Sequence, residues 1–321
     1  MIARDSCENC NLREFPSILV TGAGGYIGSA LVKAIAAGDP RHLVLLDACE
    51  QNLFEISRCV PGEAILGSVT DADLLHDIFE RFRPSIVYHA AAFKHVPLLE
   101  RNPLAAIQNN AIGTYTLART LLRHDPARLV LVSTDKAVNP CSFLGLSKRI
   151  AELAVVSLST RRHPMNAVRL GNVAGSTGSV IPIFRQQIAA GEALTLTHRD
   201  ATRYFVSLEK AVDAILAAGA ADCAGRILLP GLGAPVRIEE LARSLMGESR
   251  LPIRYIGLRP GDKLSEDLLF TNEEREGTAG QLEIIRTPAP DAASLDAVID
   301  RLRAARTREA LLAAARVLVS P

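Results

Sequence analysis

The chain has no tryptophan, three methionines and 4% aromatic residues among 321, so its core must be built from aliphatic side chains, which 48% hydrophobic content supplies. Charge bias is missing too. The 36 Lys and Arg against 35 Asp and Glu leave +1, spread without blocks, which removes the electrostatic case for nucleic acid or an anionic membrane surface as partner. A small-molecule ligand is expected instead. No apolar run reaches the roughly 18 residues of a membrane span, and residues 1–15 lack the apolar stretch of a signal peptide. No integral membrane segment is therefore expected, and the compartment reads as cytoplasmic. Six cysteines, at 7, 10, 49, 59, 141 and 223, form no disulfide framework. Cys7 and Cys10 make a CxxC with no second pair or histidine cluster after it, so residues 1–16 read as a polar leader and no metal is expected. His42, His76, His124, His163 and His198 fall at element ends without metal spacing, and are assigned to surface or packing roles. His89, at a strand end, is read as structural.

What is present is alternation. Ser17 to Thr21 is a short apolar, β-branched run that enters Gly22-Ala-Gly-Gly-Tyr-Ile-Gly28, the order strand, glycine turn, helix. In this GxxGxxG spacing Gly22 allows the turn, Gly25 lets a pyrophosphate approach backbone N–H groups beside Tyr26 and Ile27, and Gly28 lets helix pack on strand. A second strand, His42 to Leu46, ends in Asp47, nineteen residues past Gly28, where an acid meets a ribose 2′-hydroxyl. A carboxylate there repels the extra phosphate of NADP, so NAD is favoured. Strands at Ala64 to Leu66 and Ser85 to His89 flank a helix over Asp71 to Phe82, which predicts βαβ units and an α/β, Rossmann-type, doubly wound parallel sheet. Ala90 and Ala91 after the fourth strand permit a cofactor to lie close, and Lys94 and His95 follow at the sheet's carboxyl edge. Asn102-Pro103 is expected to open a helix with an Asn cap. Inside that helix Asn109 and Asn110 are either buried hydrogen-bonding groups or an exposed pair.

The stretch Leu129 to Lys148 concentrates the chemistry. An apolar strand delivers Thr134, Asp135 and Lys136 at its carboxyl end, where an open α/β sheet places its reactive groups. The chain then turns through Asn139-Pro140 and enters a helix carrying Lys148. An Asp beside a Lys in a dry site can divide acid and base duties; a structural ion pair in a loop is the other reading.

With TGAGGYIG, HAAAFKHVP and STDKAVNP in hand, the chain resembles an extended short-chain dehydrogenase/reductase, and more narrowly the UDP-N-acetylglucosamine 4,6-dehydratases of capsular and flagellar polysaccharide synthesis. The likeness runs from about Ser17 to about Leu269 and is also carried by Arg169-Leu-Gly-Asn-Val173, Gly178 to Arg185, Thr202-Arg-Tyr-Phe205 and Leu258-Arg-Pro-Gly-Asp-Lys263. It implies an NAD-binding part, here 17–170, and a smaller C-terminal substrate domain, mainly 171–321, for a UDP-sugar, with segments returning to the first part. The implied reaction is an internal redox cycle: oxidation at sugar C4, loss of the C5 proton and of the C6 hydroxyl as water, then return of hydride to C6. The resemblance makes Asp135 the acid, Lys136 the base, Thr134 a hydrogen-bonding group near O4, and Lys148 the holder of the nicotinamide ribose. Asn172 would touch the diphosphate, while Arg185, Arg203 and Arg259 are candidates to hold phosphate or uridine, a task suited to the guanidinium fork. A solvated surface role is the alternative for each arginine. Glu266 is a candidate for a ribose hydroxyl, or a helix cap.

Two positions depart from the pattern. The usual Tyr-x-x-x-Lys reads Leu144-x-x-x-Lys148, and leucine cannot accept a proton. Large members of the resembled family carry methionine there, so Thr134 or a water is left to relay the C4 proton. Ser68 replaces an Asp of the GDVxD segment, which weakens the expected adenine contact. Residues Thr271 to Gly280 are polar and rich in Glu and Gly, which predicts a mobile loop. Amphipathic helices at 293–306 and 308–318 close the chain, their stripes assigned to core, with a homo-oligomer of dimeric or higher order expected. An epimerase on the same scaffold and a non-catalytic NAD- or UDP-sugar-binding protein are the competing functions.

Overall fold

A computed structural model describes residues 15–125 and 127–319; the Cys7-x-x-Cys10 motif and most of the expected leader lie outside them. In chain order the elements are β1 (Ser17–Thr21), α1 (Tyr26–Ala37), β2 (His42–Asp47), α2 (Glu50–Ser57), β3 (Glu63–Leu66), α3 (Ala72–Phe82), β4 (Ile86–His89), α4 (Val96–Arg101), α5 (Pro103–Ala106), a π-helical turn (Ile107–Ile112) continued by α6 (Gly113–Leu121), and β5 (Arg128–Thr134). A single 3-10 turn (Asp135–Ala137) leads to α7 (Phe143–Leu158) and β6 (Met165–Leu170). The later part comprises β7 (Asn172–Val173), α8 (Val180–Ala189), β8 (Leu194–Leu196), β9 (Thr202–Arg203), β10 (Phe205–Val206), α9 (Leu208–Ala220), β11 (Arg226–Pro230), β12 (Val236–Arg237), α10 (Ile238–Met246), β13 (Ile253–Tyr255), β14 (Glu274–Ala279), β15 (Leu282–Arg286), α11 (Ala292–Ala304) and α12 (Arg308–Val319).

Nine strands form one sheet in the order β14-β15-β11-β6-β5-β4-β1-β2-β3, parallel from β11 to β3. Chain reversal between β4 and β1 gives the doubly wound α/β arrangement, so the loops leaving β1, β2, β4, β5 and β6 gather at one edge. The central strands are buried on both faces; β1 and β5 carry aliphatic runs, as a sheet covered on both sides requires, while β6 also buries Asn166 and Arg169. One face packs α3, α6, α7, α11 and α12; the other packs α1, α2 and α9. Each fully enclosed Leu, Ile or Val contributes about 1.5–3 kcal/mol of transfer free energy. A smaller apolar cluster of Phe184, Leu194, Leu196, Ala201, Ile238 and Ala242 unites α8, β8 and α10.

Two expectations are corrected. The stretch 271–280 contains β14, paired antiparallel with β15 through a bulge between Arg275 and Gly277. Its acids find cross-strand cations, with Arg286 bridging to Glu274 and Glu276 and Arg275 to Glu283, and this pairing outweighs a loop-like composition. Asn102 does precede α5, but its side-chain amide donates to Leu98 O at 2.9 Å, so it ends α4 without capping α5.

Asn110 is wholly buried, as one reading of that helix required: it accepts from Phe93 N at 2.8 Å, donates to Phe93 O at 2.9 Å, and so holds the loop after β4. Helix α7 is enclosed along nearly its whole length. Ser142 caps its start, accepting from Gly145 N at 3.1 Å, and α11 and α12 cover its outer face. Arg308 stacks on Phe143 at 4.6 Å and pairs with Glu100, fixing α12 there. The stripes of the last two helices are thus core. No described helix is long and apolar enough to cross a membrane.

Candidate active site

The glycine turn after β1 is held by steric necessity. Gly22 adopts φ +68°, and a Cβ there would stand 2.6 Å from Ala91 backbone atoms; one on Gly28 would stand 1.9 Å from Gly22 O. Strand, turn and helix therefore close on each other only without side chains at these points. Asp47, ending β2, accepts from Gly24 N at 2.9 Å and from Cys49 N at 2.8 Å, which sets its carboxylate against that turn. No side chain caps the start of α1 at Gly25, so its first N–H groups are free for an anion.

At the end of β5 the chain tightens into the 3-10 turn, and Asp135 is fully buried. Its Oδ1 accepts from Thr134 Oγ1 and from Lys136 Nζ, each at 2.9 Å. Lys136 Nζ also donates to Asn172 Oδ1 at 2.8 Å and lies 3.6 Å from the buried Glu266 carboxylate. Asp135 Oδ2 has no hydrogen-bond partner among the described residues. A carboxylate with one saturated oxygen and one buried, unpaired oxygen keeps capacity for a further hydrogen bond or a proton. Gly145 makes the turn's support possible, because a Cβ there would lie 2.2 Å from Lys136 O. Helix α7 thus docks directly beneath the Asp-Lys turn.

Further along α7, Lys148 is buried and donates to Val132 O at 2.6 Å; desolvation lowers its pKa to about 8, although Glu152 pulls the other way. Leu144 lies in the apolar core beside this helix. His89 bridges Thr21 Oγ1 at 2.6 Å and Thr114 Oγ1 at 2.9 Å, and its pKa falls to about 3 through burial and then the charge of Lys148. It is a structural pin, as expected.

The remaining predicted residues divide. Lys94 lies over the Tyr26 ring at 5.9 Å, the Tyr26 hydroxyl donates to Ala174 O at 2.9 Å, and the His95 ring abuts Gly178. Burial lowers the pKa of Lys94, and burial followed by Lys94 lowers that of His95. These contacts bring the β1, β4 and β7 loops side by side. Arg203 donates to the carbonyls of Thr202, Lys263 and Leu264 and approaches Glu266 at 3.8 Å, so its fork holds the 263–266 turn against β9. Arg259 is exposed and paired with Asp262, and Arg185 is exposed on α8. Neither is joined to the Asp135–Lys136 cluster. Ser68 bonds Thr70 within its own turn.

The sequence reading missed Lys263 and the ion network below the site. Lys263 Nζ donates to Val138 O at 2.6 Å and lies 3.3 Å from Glu266, closing the cluster from the far side. Beneath it, buried Arg169 bonds Glu152 and Glu273, which Arg149 also meets, and Ser133 donates to Glu152. Burial pushes the Glu273 carboxyl up, but the Arg169 hydrogen bonds and charge bring it below its ordinary value. The recurrence of charged residues at apolar positions of α7 and β6 was the available signal.

Over residues 18–287 the sequence matches the family described as polysaccharide biosynthesis protein. The chain belongs to that family. Similar relatives include the probable polysaccharide biosynthesis protein EpsC of Bacillus subtilis, 39% identical over 286 residues that cover 85% of this chain and 48% of EpsC. The chain therefore spans about half of EpsC's length. A UDP-glucose 4-epimerase of Rickettsia conorii is 31% identical over 268 residues, covering 80% of this chain and 78% of the epimerase. Among solved structures, Pen from Bacillus thuringiensis superposes with a TM-score of 0.76 at 26% identity, covering 85% of this chain and 87% of Pen. Within this polysaccharide biosynthesis family member, the strand edge that carries Asp135 and Lys136 is also the edge that carries the glycine turn.

Proposed function

We propose that the protein is an NAD-dependent 4,6-dehydratase acting on UDP-N-acetylglucosamine or a related UDP-hexose in polysaccharide biosynthesis. The observation that carries this reading is the Asp135–Lys136 pair, joined by a 2.9 Å hydrogen bond with one buried carboxylate oxygen left unpaired, at the carboxyl edge of the sheet.

The residues of the β1, β2 and β4 loops fit a dinucleotide. Gly22, Gly25, Tyr26, Ile27 and Gly28 would take the pyrophosphate on the start of α1, Asp47 the adenosine ribose, Ala90 and Ala91 the close approach, and Lys148 the nicotinamide ribose. When bound, the cofactor supplies an acceptor for the C4 hydride and gives it back at C6. All other steps belong to this chain's side chains. Thr134 Oγ1, already bonded to Asp135, passes the C4 hydroxyl proton to that carboxylate. Asp135 delivers it to the departing C6 hydroxyl, which leaves as water. Lys136 takes the C5 proton and returns it to C5 once C6 is reduced, so protons balance over the cycle. Asn172 and Glu266 orient the amine. Residues 171–321 would chiefly hold the UDP-sugar, with Lys94, His95, Asn172, Arg185, Arg203, Arg259 and Glu266 as candidate contacts.

The epimerase relative favours a second reading, UDP-sugar epimerisation through the same C4 oxidation. Incubation with UDP-N-acetylglucosamine separates the two. Loss of one water by mass spectrometry supports dehydration, whereas unchanged mass with altered sugar NMR couplings supports epimerisation. Recovery of unaltered substrate from NAD-loaded protein would defeat both.

A further inference from the structure

Far from the cleft, at the amino edge of the sheet, folding brings together side chains that the sequence keeps 48 residues apart. His76 and Glu80 lie one turn apart on α3 and so share a face. His124 belongs to the turn leading into β5. His76 Nδ1 and His124 Nε2 face each other at 3.1 Å. One nitrogen or oxygen from each of His76, Glu80 and His124 lies within 4.8 Å of the others.

We propose that His76, Glu80 and His124 form a binding site for a divalent first-row transition-metal ion of the zinc type, which clamps α3 to the turn before β5.

The geometry suits that class of ion. With metal–nitrogen bonds of about 2.0–2.1 Å, two imidazole ligands of a tetrahedral centre stand roughly 3.4 Å apart, close to the separation these two rings already have. His124 is set in place for the task. Its ring stacks on Phe79 at 5.3 Å, its carbonyl accepts from His163 Nε2 at 3.4 Å, and its side chain is only 10% exposed. Glu80 is the exposed member, with 65% of its side chain accessible and a carboxylate oxygen 3.7 Å from His124 Nδ1. Asp125 and Arg123, on either side of His124, oppose each other in charge. Two imidazoles and one carboxylate select zinc, cobalt, nickel or copper over magnesium or calcium, and three protein ligands leave a fourth position for water. A plain histidine–histidine hydrogen bond would fill the same 3.1 Å without any ion, and the experiment must tell the two apart.

The test uses the full chain with Cys7→Ser and Cys10→Ser, so that the amino-terminal CxxC cannot compete, stripped with a chelator and titrated with zinc chloride by calorimetry. One equivalent is expected to bind and to raise the melting temperature, with no heat from magnesium or calcium. Cobalt chloride should give the visible spectrum of nitrogen and oxygen ligands without a thiolate charge-transfer band. Loss of an outer-shell partner weakens metal sites about 10–100-fold, so His76→Ala, which removes a ligand, should weaken zinc at least about tenfold. Because His76 is exposed, that variant should keep its circular dichroism spectrum, and Glu80→Gln should weaken binding as well. The proposal fails if the protein with Cys7→Ser and Cys10→Ser takes up no zinc saturably, or if His76→Ala in that background binds it as tightly as its parent.

Discussion

Two acid–base clusters sit one above the other around β5 and β6, built from the same residue types and fitted for opposite ends. In the lower one, Arg169 is wholly buried and all four carboxylate oxygens of Glu152 and Glu273 accept hydrogen bonds, from Ser133, Arg149, Arg169 and Phe270 N. In the upper one, Lys136 keeps 20% of its side chain exposed and Asp135 keeps one oxygen open. Carboxylates whose oxygens all accept hydrogen bonds have none left to take a proton, and the unpaired atom of the lower cluster, Arg149 Nε, is a donor; in the upper cluster the unpaired atom is a carboxylate oxygen. The difference between a structural ion network and a chemical one is spare hydrogen-bonding valence, not charge.

The largest expected effect breaks the upper cluster. Lys136→Met or Asp135→Asn should lower turnover of UDP-N-acetylglucosamine by about 10²–10⁴-fold while the urea midpoint moves little. A comparable loss of stability in these variants would mean that both clusters are structural. Next, Arg169→Met should cost about 3–5 kcal/mol in urea unfolding, because it strands two buried carboxylates. A loss below about 1 kcal/mol would show that Arg149 alone satisfies them.

Within the sheet, at the end of β4, His89 gives a pH test. Its folded pKa of about 3 lies below the ordinary 6.5, so the unfolded chain takes up the proton first as pH falls. The stability that His89 contributes is present above pH 6.5 and is lost as pH drops toward 3, by a few kcal/mol. Ring NMR shifts should stay those of a neutral imidazole through this window; titration near 6.5 would contradict the assigned burial. The smallest effect concerns Leu144. Replacement by tyrosine puts a hydroxyl into an apolar core and should cost about 1–3 kcal/mol of stability. Turnover should change less than tenfold, since Thr134 already reaches Asp135. A gain of several hundredfold would assign the C4 proton to a tyrosine and remove Thr134 from the relay.

The glycine turn, Asp47 and the strand ending in Thr134-Asp135-Lys136 were legible because each is a local pattern: a strand period, a steric need for glycine, a fixed count to an acid. Strand β14 was not, since its Glu- and Gly-rich composition is that of a loop until Arg286 of β15 reaches Glu274 and Glu276 across the ladder. Glu266 and Arg203 were picked out by motif position, but their partners were not foreseeable. Arg203 spends its donors on backbone carbonyls, and Glu266 faces Lys136, because the 258–266 segment folds back over β5 and β7.

By itself the sequence determined the doubly wound sheet and the loops that carry the chemistry, because alternating aliphatic runs and glycine spacing act over a few residues at a time. Only the tertiary structure decided which charges are sealed and which stay open, and which distant histidines meet. Those outcomes depend on burial and on contacts between segments tens to more than a hundred residues apart, such as Lys136 with Glu266, Arg169 with Glu273 and His76 with His124.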